Sequence, residues 1–197
     1  MKKIHIILLA LLVPAFLNAQ SFNEGNLLIK GGLGFSSPYY LTNSEGTLPP
    51  LSLSLDYAVK DKIGIGGILG ITSSRYTIGD PSSNGYIAKQ SYRLIGGRAT
   101  YHFWSKEHFD LYLGAMMGYI FTGWNVTYKS NYYAKNEIAK PRYGGVVLAG
   151  FAGLNYSVNN DWGVFGEVGY SLSYVTGGAY WRISSIKSLF NFSNFKW

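Results

Sequence analysis

The feature that most constrains this chain is a two-residue alternation of large apolar and small side chains, recurring from about residue 27 to residue 183. A period of two sends successive side chains to opposite faces of a strand, so the pattern predicts β structure and excludes a helical architecture wherever it holds. It is clearest at 51–59, where Leu51, Leu53, Leu55, Tyr57 and Val59 share one face and Ser52, Ser54, Asp56 and Ala58 share the other. The same reading gives strands at 27–36, 63–73, 91–103, 109–121, 144–157 and 163–172. In the last, Val164, Val168, Tyr170 and Leu172 oppose Phe165, Glu167, Gly169 and Ser171.

Seven strands need an eighth to close them. Two segments compete for it: Tyr174–Ile183, where Val175, Ala179, Trp181 and Ile183 oppose Thr176, Gly178, Tyr180 and Arg182, and the poorer alternation of Ser188–Trp197. The better pattern favours the first, leaving 184–197 as a C-terminal tail. At the other end, Lys2 and Lys3 precede an apolar run from Ile4 to Phe16 and a small residue at Ala19. A basic start, a short apolar stretch and a small residue read as a secretory signal, residues 1–19, with the domain proper at 20–197. The run is shorter than the ~20 residues of a spanning helix. No second long apolar run follows, so the chain is not a helical membrane protein.

Which face meets water decides the class. One face of each strand is large and apolar; the other is mostly Gly, Ser, Thr and Ala with scattered charges. Only 14% of residues are charged, and 25 are glycine. Glycine gains nothing on a wet exterior, but small side chains suit a crowded lumen where strands curl and close. Tyr57, Tyr101, Phe103, Phe109, Tyr156 and Trp162 gather at the strand ends of the apolar face, as an interfacial girdle requires. The connections at 60–62, 104–108 and 158–161 are short, whereas those at 37–49, 74–90 and 122–142 are long, and the two kinds alternate. Short inner turns and long outer loops belong to outer-membrane barrels. The expectation is an all-β, eight-stranded antiparallel transmembrane up-and-down β-barrel in the outer membrane of a Gram-negative bacterium. A soluble sandwich or lipocalin-like carrier is the competing architecture.

Three stretches, Arg98–Phe103, Asp110–Ala115 and Gly163–Tyr170, together with Tyr174–Ile183 as closing strand, resemble the small outer-membrane β-barrel-domain family, the OmpA-like eight-stranded barrels. The likeness covers nearly all of the chain beyond the leader. One departure is that fourteen residues follow the favoured closing strand, ending in Phe195-Lys196-Trp197. The resemblance implies that barrel-insertion machinery reads the terminal aromatic Trp197.

Few charges face inward. Lys30 and Asp56 stand at similar heights on neighbouring strands, and Arg98 and Glu167 stand at similar heights on strands four and seven. They are expected to form two lumenal ion pairs, because an unpaired buried charge is costly. Eight strands leave an interior that side chains fill, so the pairs make a plug and not a pore. Catalysis by a hydroxyl nucleophile needs a base within hydrogen-bond reach. Past the leader only His102 and His108 are available: His102 reads as a hydrogen-bonded lumen residue and His108 as a solvated turn residue. The absence of cysteine removes disulfides, thiolate metal sites and lipoprotein anchoring. No metal-ligand spacing, cofactor motif or phosphate loop appears. The net charge, +7 overall and +5 without Lys2 and Lys3, suits outer-membrane lipids and lipopolysaccharide; nucleic acid is not a partner for an exported chain. The expected role is non-catalytic, structural or surface-binding, with any extracellular ligand met at 41–50, 73–90 and 122–142, whose Tyr, Asn, Ser and Gly suit adaptable contacts. A lipid-modifying barrel enzyme is the alternative.

Overall fold

The computed structural model describes residues 22–40, 44–78, 86–106, 108–128 and 144–184. The segment expected as a leader at 1–19, the tail from 185 with its Trp197, and most of the third long link lie outside the described residues.

Alternation becomes eight strands: β1 (Leu27–Phe35), β2 (Glu45–Lys60), β3 (Ile63–Ile78), β4 (Tyr86–Lys106), β5 (Phe109–Tyr128), β6 (Gly145–Ser157), β7 (Trp162–Gly169) and β8 (Val175–Ile183). Each pairs antiparallel with its sequence neighbour, and β1 pairs with β8 from Leu27↔Ile183 to Phe35↔Val175, closing the barrel. Tyr174–Ile183 therefore supplies the closing strand. Closure pairs all eight strands around the barrel, as a hydrocarbon environment demands, and leaves edges on the tall tops of β2 and β5.

The polarity is inside-out. Leu148 is 73% exposed and Met117 64%, with Leu53, Ile65, Ile95, Leu113 and Val168 also on the outer surface. Lys30, Asp56, Arg98, His102 and Asp110 are buried within. This apolar outer band makes the barrel a membrane-spanning one and rules out a water-soluble sandwich or carrier, whose apolar faces would be packed inside.

Strand lengths are unequal. β1, β7 and β8 have 9, 8 and 9 residues, close to the ~9–11 that cross a bilayer. β4 and β5 have 21 and 20 residues, so one wall rises well beyond the band. Much of the length expected as loop at 74–90 and 122–142 is instead continued ladder, from Arg75↔Lys89 through Lys89↔Asn125. Polar outward residues hid this: above the apolar band Arg75, Lys89 and Asn125 face out while Ser74, Ala88 and Gln90 are buried on the inner face, so the large-apolar-against-small contrast is lost. The segment expected as loop at 41–50 joins β2 irregularly. Its register shifts around Pro49 and Pro50, where proline has no N–H to give the ladder.

The inner turns are tight: Asp61-Lys62 joins β2 to β3, and Asn159 Oδ1 accepts from the backbone N–H groups of Asp161 and Trp162, both at 2.9 Å, before β7. The fourth outer link, 170–174, is short, so the alternation of lengths stops there. Leu172, expected outside, is instead 2% exposed and packs into the lumen with Ile68, Leu94 and Phe151, because β7 ends at Gly169 and the chain has already left the strand period.

Candidate functional site: the filled lumen

The interior is stacked in layers. At the inner mouth, the segment before β1 folds across the opening. Gly25 takes φ 90, a left-handed conformation glycine adopts without steric cost, and its N–H donates to the Ala58 carbonyl at 2.9 Å. This turn drops Phe22, 2% exposed, flat onto the His102 ring at 3.6 Å between centroids. His102 Nδ1 meets the Asp110 carboxylate at 2.8 Å, and Nε2 lies 3.2 Å from Thr100 Oγ1. Asn155 Nδ2 donates to Asp110 Oδ2 at 2.8 Å. Beside them Arg182 Nη2 donates to Ser157 Oγ at 2.8 Å, and Ser157 shares a 2.7 Å hydrogen bond with the Tyr180 hydroxyl.

Above lies one ring of four charges. Lys30 Nζ is 3.3 Å from Asp56 Oδ2, Arg98 Nε is 2.9 Å from Asp56 Oδ1, Arg98 Nη2 is 2.6 Å from Glu167 Oε1, and Lys30 Nζ is 3.8 Å from Glu167 Oε1. Arg98 also donates from Nη1 to Glu167 Oε2 at 3.4 Å, completing a two-pronged grip. The Asp56 contacts are ionic, without hydrogen-bond alignment. Tyr112 joins both sides: its hydroxyl donates to Glu167 Oε1 at 2.7 Å and accepts from Lys30 Nζ at 3.0 Å.

Bare positions let these strands converge. In one row Asp56 on β2, Gly66 on β3 and Arg98 on β4 stand side by side. With no side chain at Gly66, Asp56 and Arg98 meet across it; a Cβ there would lie 1.7 Å from the Leu55 carbonyl oxygen. In the same way Tyr112 on β5 crosses Gly153 on β6 to reach Glu167 on β7, and a Cβ at Gly153 would lie 2.2 Å from the tyrosine ring.

The four charges singled out from the sequence are thus together, with two differences. Lys30 stands opposite Ser54, while Asp56 stands opposite Leu28, so the Lys30–Asp56 contact is diagonal. The two expected pairs are fused, since Asp56 also holds Arg98. Tyr112, Asp110, Asn155 and Ser157 were not singled out, although the alternation that places Phe109 and Leu111 outside places Asp110 and Tyr112 inside. His108, expected in solvent, is half-buried, its Nδ1 2.9 Å from the Ser157 carbonyl.

An apolar layer closes the lumen above the ring: Ile68, Leu94, Met116, Ile120, Phe151 and Leu172. Tyr92 reaches from it to the Tyr39 carbonyl, tying down the first outer link. Among the described residues no cluster of His, Asp and Glu can hold a metal.

Neither a family model nor a curated protein matches the chain. Among solved structures it is similar to the outer membrane protein OprG from Pseudomonas aeruginosa, at 12% identity and TM-score 0.56, over 83% of this chain and 98% of that one. It is also similar to the N-terminal β-barrel domain of Pseudomonas aeruginosa OprF, at 14% identity and TM-score 0.48, over 81% and 98% of the two chains. Ail of Yersinia pestis, in complex with the heparin analogue sucrose octasulfate, matches at 17% identity and TM-score 0.44, over 81% and 99%. The OprG likeness shows the fold, a small closed β-barrel, and the apolar outer band makes it a transmembrane one. At the level of fold, the resemblance drawn from the strand motifs holds.

Proposed function

We propose that this chain is a non-catalytic integral protein of the Gram-negative outer membrane, closed along its axis, that makes its contacts with the tall β2–β5 wall and the links above it. The observation that carries the reading is the filled lumen. A ring of four charges with balanced sign sits beneath an apolar layer, and an ion crossing that layer would shed its hydration without replacement. The lumen serves as a rigid support, and recognition falls to the outer surface. Two measurements test this. Mass spectrometry of outer-membrane lipids with and without the protein should show unchanged acyl patterns. Replacing residues 129–143 by a short Gly-Ser turn should leave a heat-modifiable folded band, because the filled lumen and not the outer link holds the barrel together. An acyl change, or loss of the folded band on loop removal, would defeat the respective half.

A lipid-modifying enzyme is the second reading, and Thr100–His102–Asp110 is what favours it, because hydroxyl, imidazole and carboxylate stand in the order of a catalytic triad. Against it, Thr100 is 3% exposed and His102 1%, with Phe22 covering the imidazole. Labelling by a fluorophosphonate that disappears in Thr100→Ala would decide for the enzyme.

A further inference from the structure

We propose that the outward face of β3–β5, immediately above the apolar band, binds the phosphate of a phosphorylated outer-leaflet glycolipid. The inference rests on the membrane orientation proposed above, with the tall wall outside the cell.

The ladder registers set the outward rows. Leu69, Ile95 and Tyr119 form one row, and Ile71, Arg93 and Phe121 the next. Above them come Ser91 and Gly123, beside a buried Ser73 whose hydroxyl shares a 2.8 Å hydrogen bond with Thr47, then Arg75, Lys89 and Asn125. The surface thus passes from hydrocarbon to cation within one pleat of β4, between Ile95 and Arg93. On β5 the Tyr119 and Phe121 rings, 4.8 Å apart, mark the same height as an interfacial aromatic belt.

Three features point to an anion here. Arg93 and Lys89 are exposed and have no ion-pair partner among the described residues. Arg75 and Lys89 stand directly opposite each other, a like-charge arrangement that destabilises a ladder. Arg75 is drawn away to Glu45 at 3.1 Å, which leaves the Lys89 side uncompensated. Between Lys89 and Arg93 the floor is only Ser91 and Gly123, with the Ser91 hydroxyl donating to the Gly123 carbonyl at 3.4 Å. Four residues of strand separate the two cations by about 13 Å at Cα, a gap that two long side chains close over that low floor.

The occupant follows from depth and charge. Acyl chains lie along Leu69, Ile95 and Met117, so a headgroup attached to them arrives at Arg93. Guanidinium and ammonium together suit phosphate. A monoester carries more than one negative charge near neutrality, whereas a zwitterionic headgroup brings its own cation and competes with Lys89.

The folded chain in detergent micelles is titrated with diphosphorylated lipid A and with the same lipid dephosphorylated. The phosphorylated form should bind about tenfold more tightly, the scale of one charged hydrogen bond. Lys89→Gln/Arg93→Gln should abolish the preference, with its heat-modifiable band intact, while Lys60→Gln/Lys62→Gln at the opposite mouth should keep it. A preference that survives in Lys89→Gln/Arg93→Gln overturns the site. Equal binding of both lipids overturns the phosphate, and displacement by excess inorganic phosphate alone overturns the lipid as the source. Orientation is read separately: the chain has no cysteine, so Asn125→Cys should react with a membrane-impermeant maleimide on intact cells. Failure there overturns the topology whatever the titration shows.

Discussion

Glu167 and Asp56 both lean on Arg98, so the lumenal charges should lose stability as one ring and not as two pairs. The ring holds Lys30, Arg98, Asp56 and Glu167, two charges of each sign. Glu167→Gln leaves one uncompensated positive charge in a buried interior, and Arg98→Met leaves one negative; each should cost about 3–5 kcal/mol. Glutamine keeps an oxygen for the Tyr112 hydroxyl, so the measured loss is that of charge. The double variant Glu167→Gln/Arg98→Met leaves Lys30 against Asp56 at 3.3 Å, neutral again, and should cost less than the sum by about 2–3 kcal/mol. Asp56→Asn/Glu167→Gln goes the other way. It leaves Lys30 and Arg98 facing each other, and because electrostatic energy grows with the product of charges, its loss should exceed the sum. Urea unfolding in detergent micelles, followed by tryptophan fluorescence and by the folded band on gels, gives all the values. Additivity in the first pair of changes would mean that Arg98 and Glu167 do not touch. Additivity in the second would refute the ring and restore two independent pairs.

Leu53→Arg or Leu113→Arg, both on the outer surface, should cost roughly 2–4 kcal/mol of membrane folding at mid-depth, while the inward Ser54→Ala should be nearly silent; equal folding yields would reverse the faces. Gly66→Ala and Gly178→Ala would set a Cβ 1.7 and 2.0 Å from carbonyl oxygens of the neighbouring strand and should block closure. Gly31→Ala and Gly166→Ala, with nothing within 4 Å, should fold normally, as gel shift will show. Trypsin added to intact cells should cut at Lys129, Lys135, Lys140 or Arg142 and spare Lys60 and Lys62; the opposite order would invert the topology.

The alternation made the fold legible because a period of two is enforced by the pleat, and one slip would turn every apolar side chain into the lumen. It set the faces of Leu53, Leu113 and Val168, and of Lys30, Asp56 and Arg98. It failed at Leu172, where the strand had ended, and at the tops of β3–β5, where outward Arg75, Lys89 and Asn125 replace the large apolar residues and the contrast between faces is lost. Parity says that a side chain points inward, but not how far it reaches. The shared role of Asp56 depends on the empty position at Gly66, and the reach of Tyr112 depends on Gly153. Inward glycines beside large inward side chains were the available signal. Phe22 gave none, because its place comes from the turn at Gly25 and not from a strand period.

Conductance of the purified protein in planar bilayers tests most directly whether the barrel is sealed. Insertion confirmed by protease protection, without resolved current steps in concentrated KCl at either polarity, is the predicted result. Uniform ohmic steps that scale with the number of inserted barrels and vanish when the protein is unfolded would contradict it.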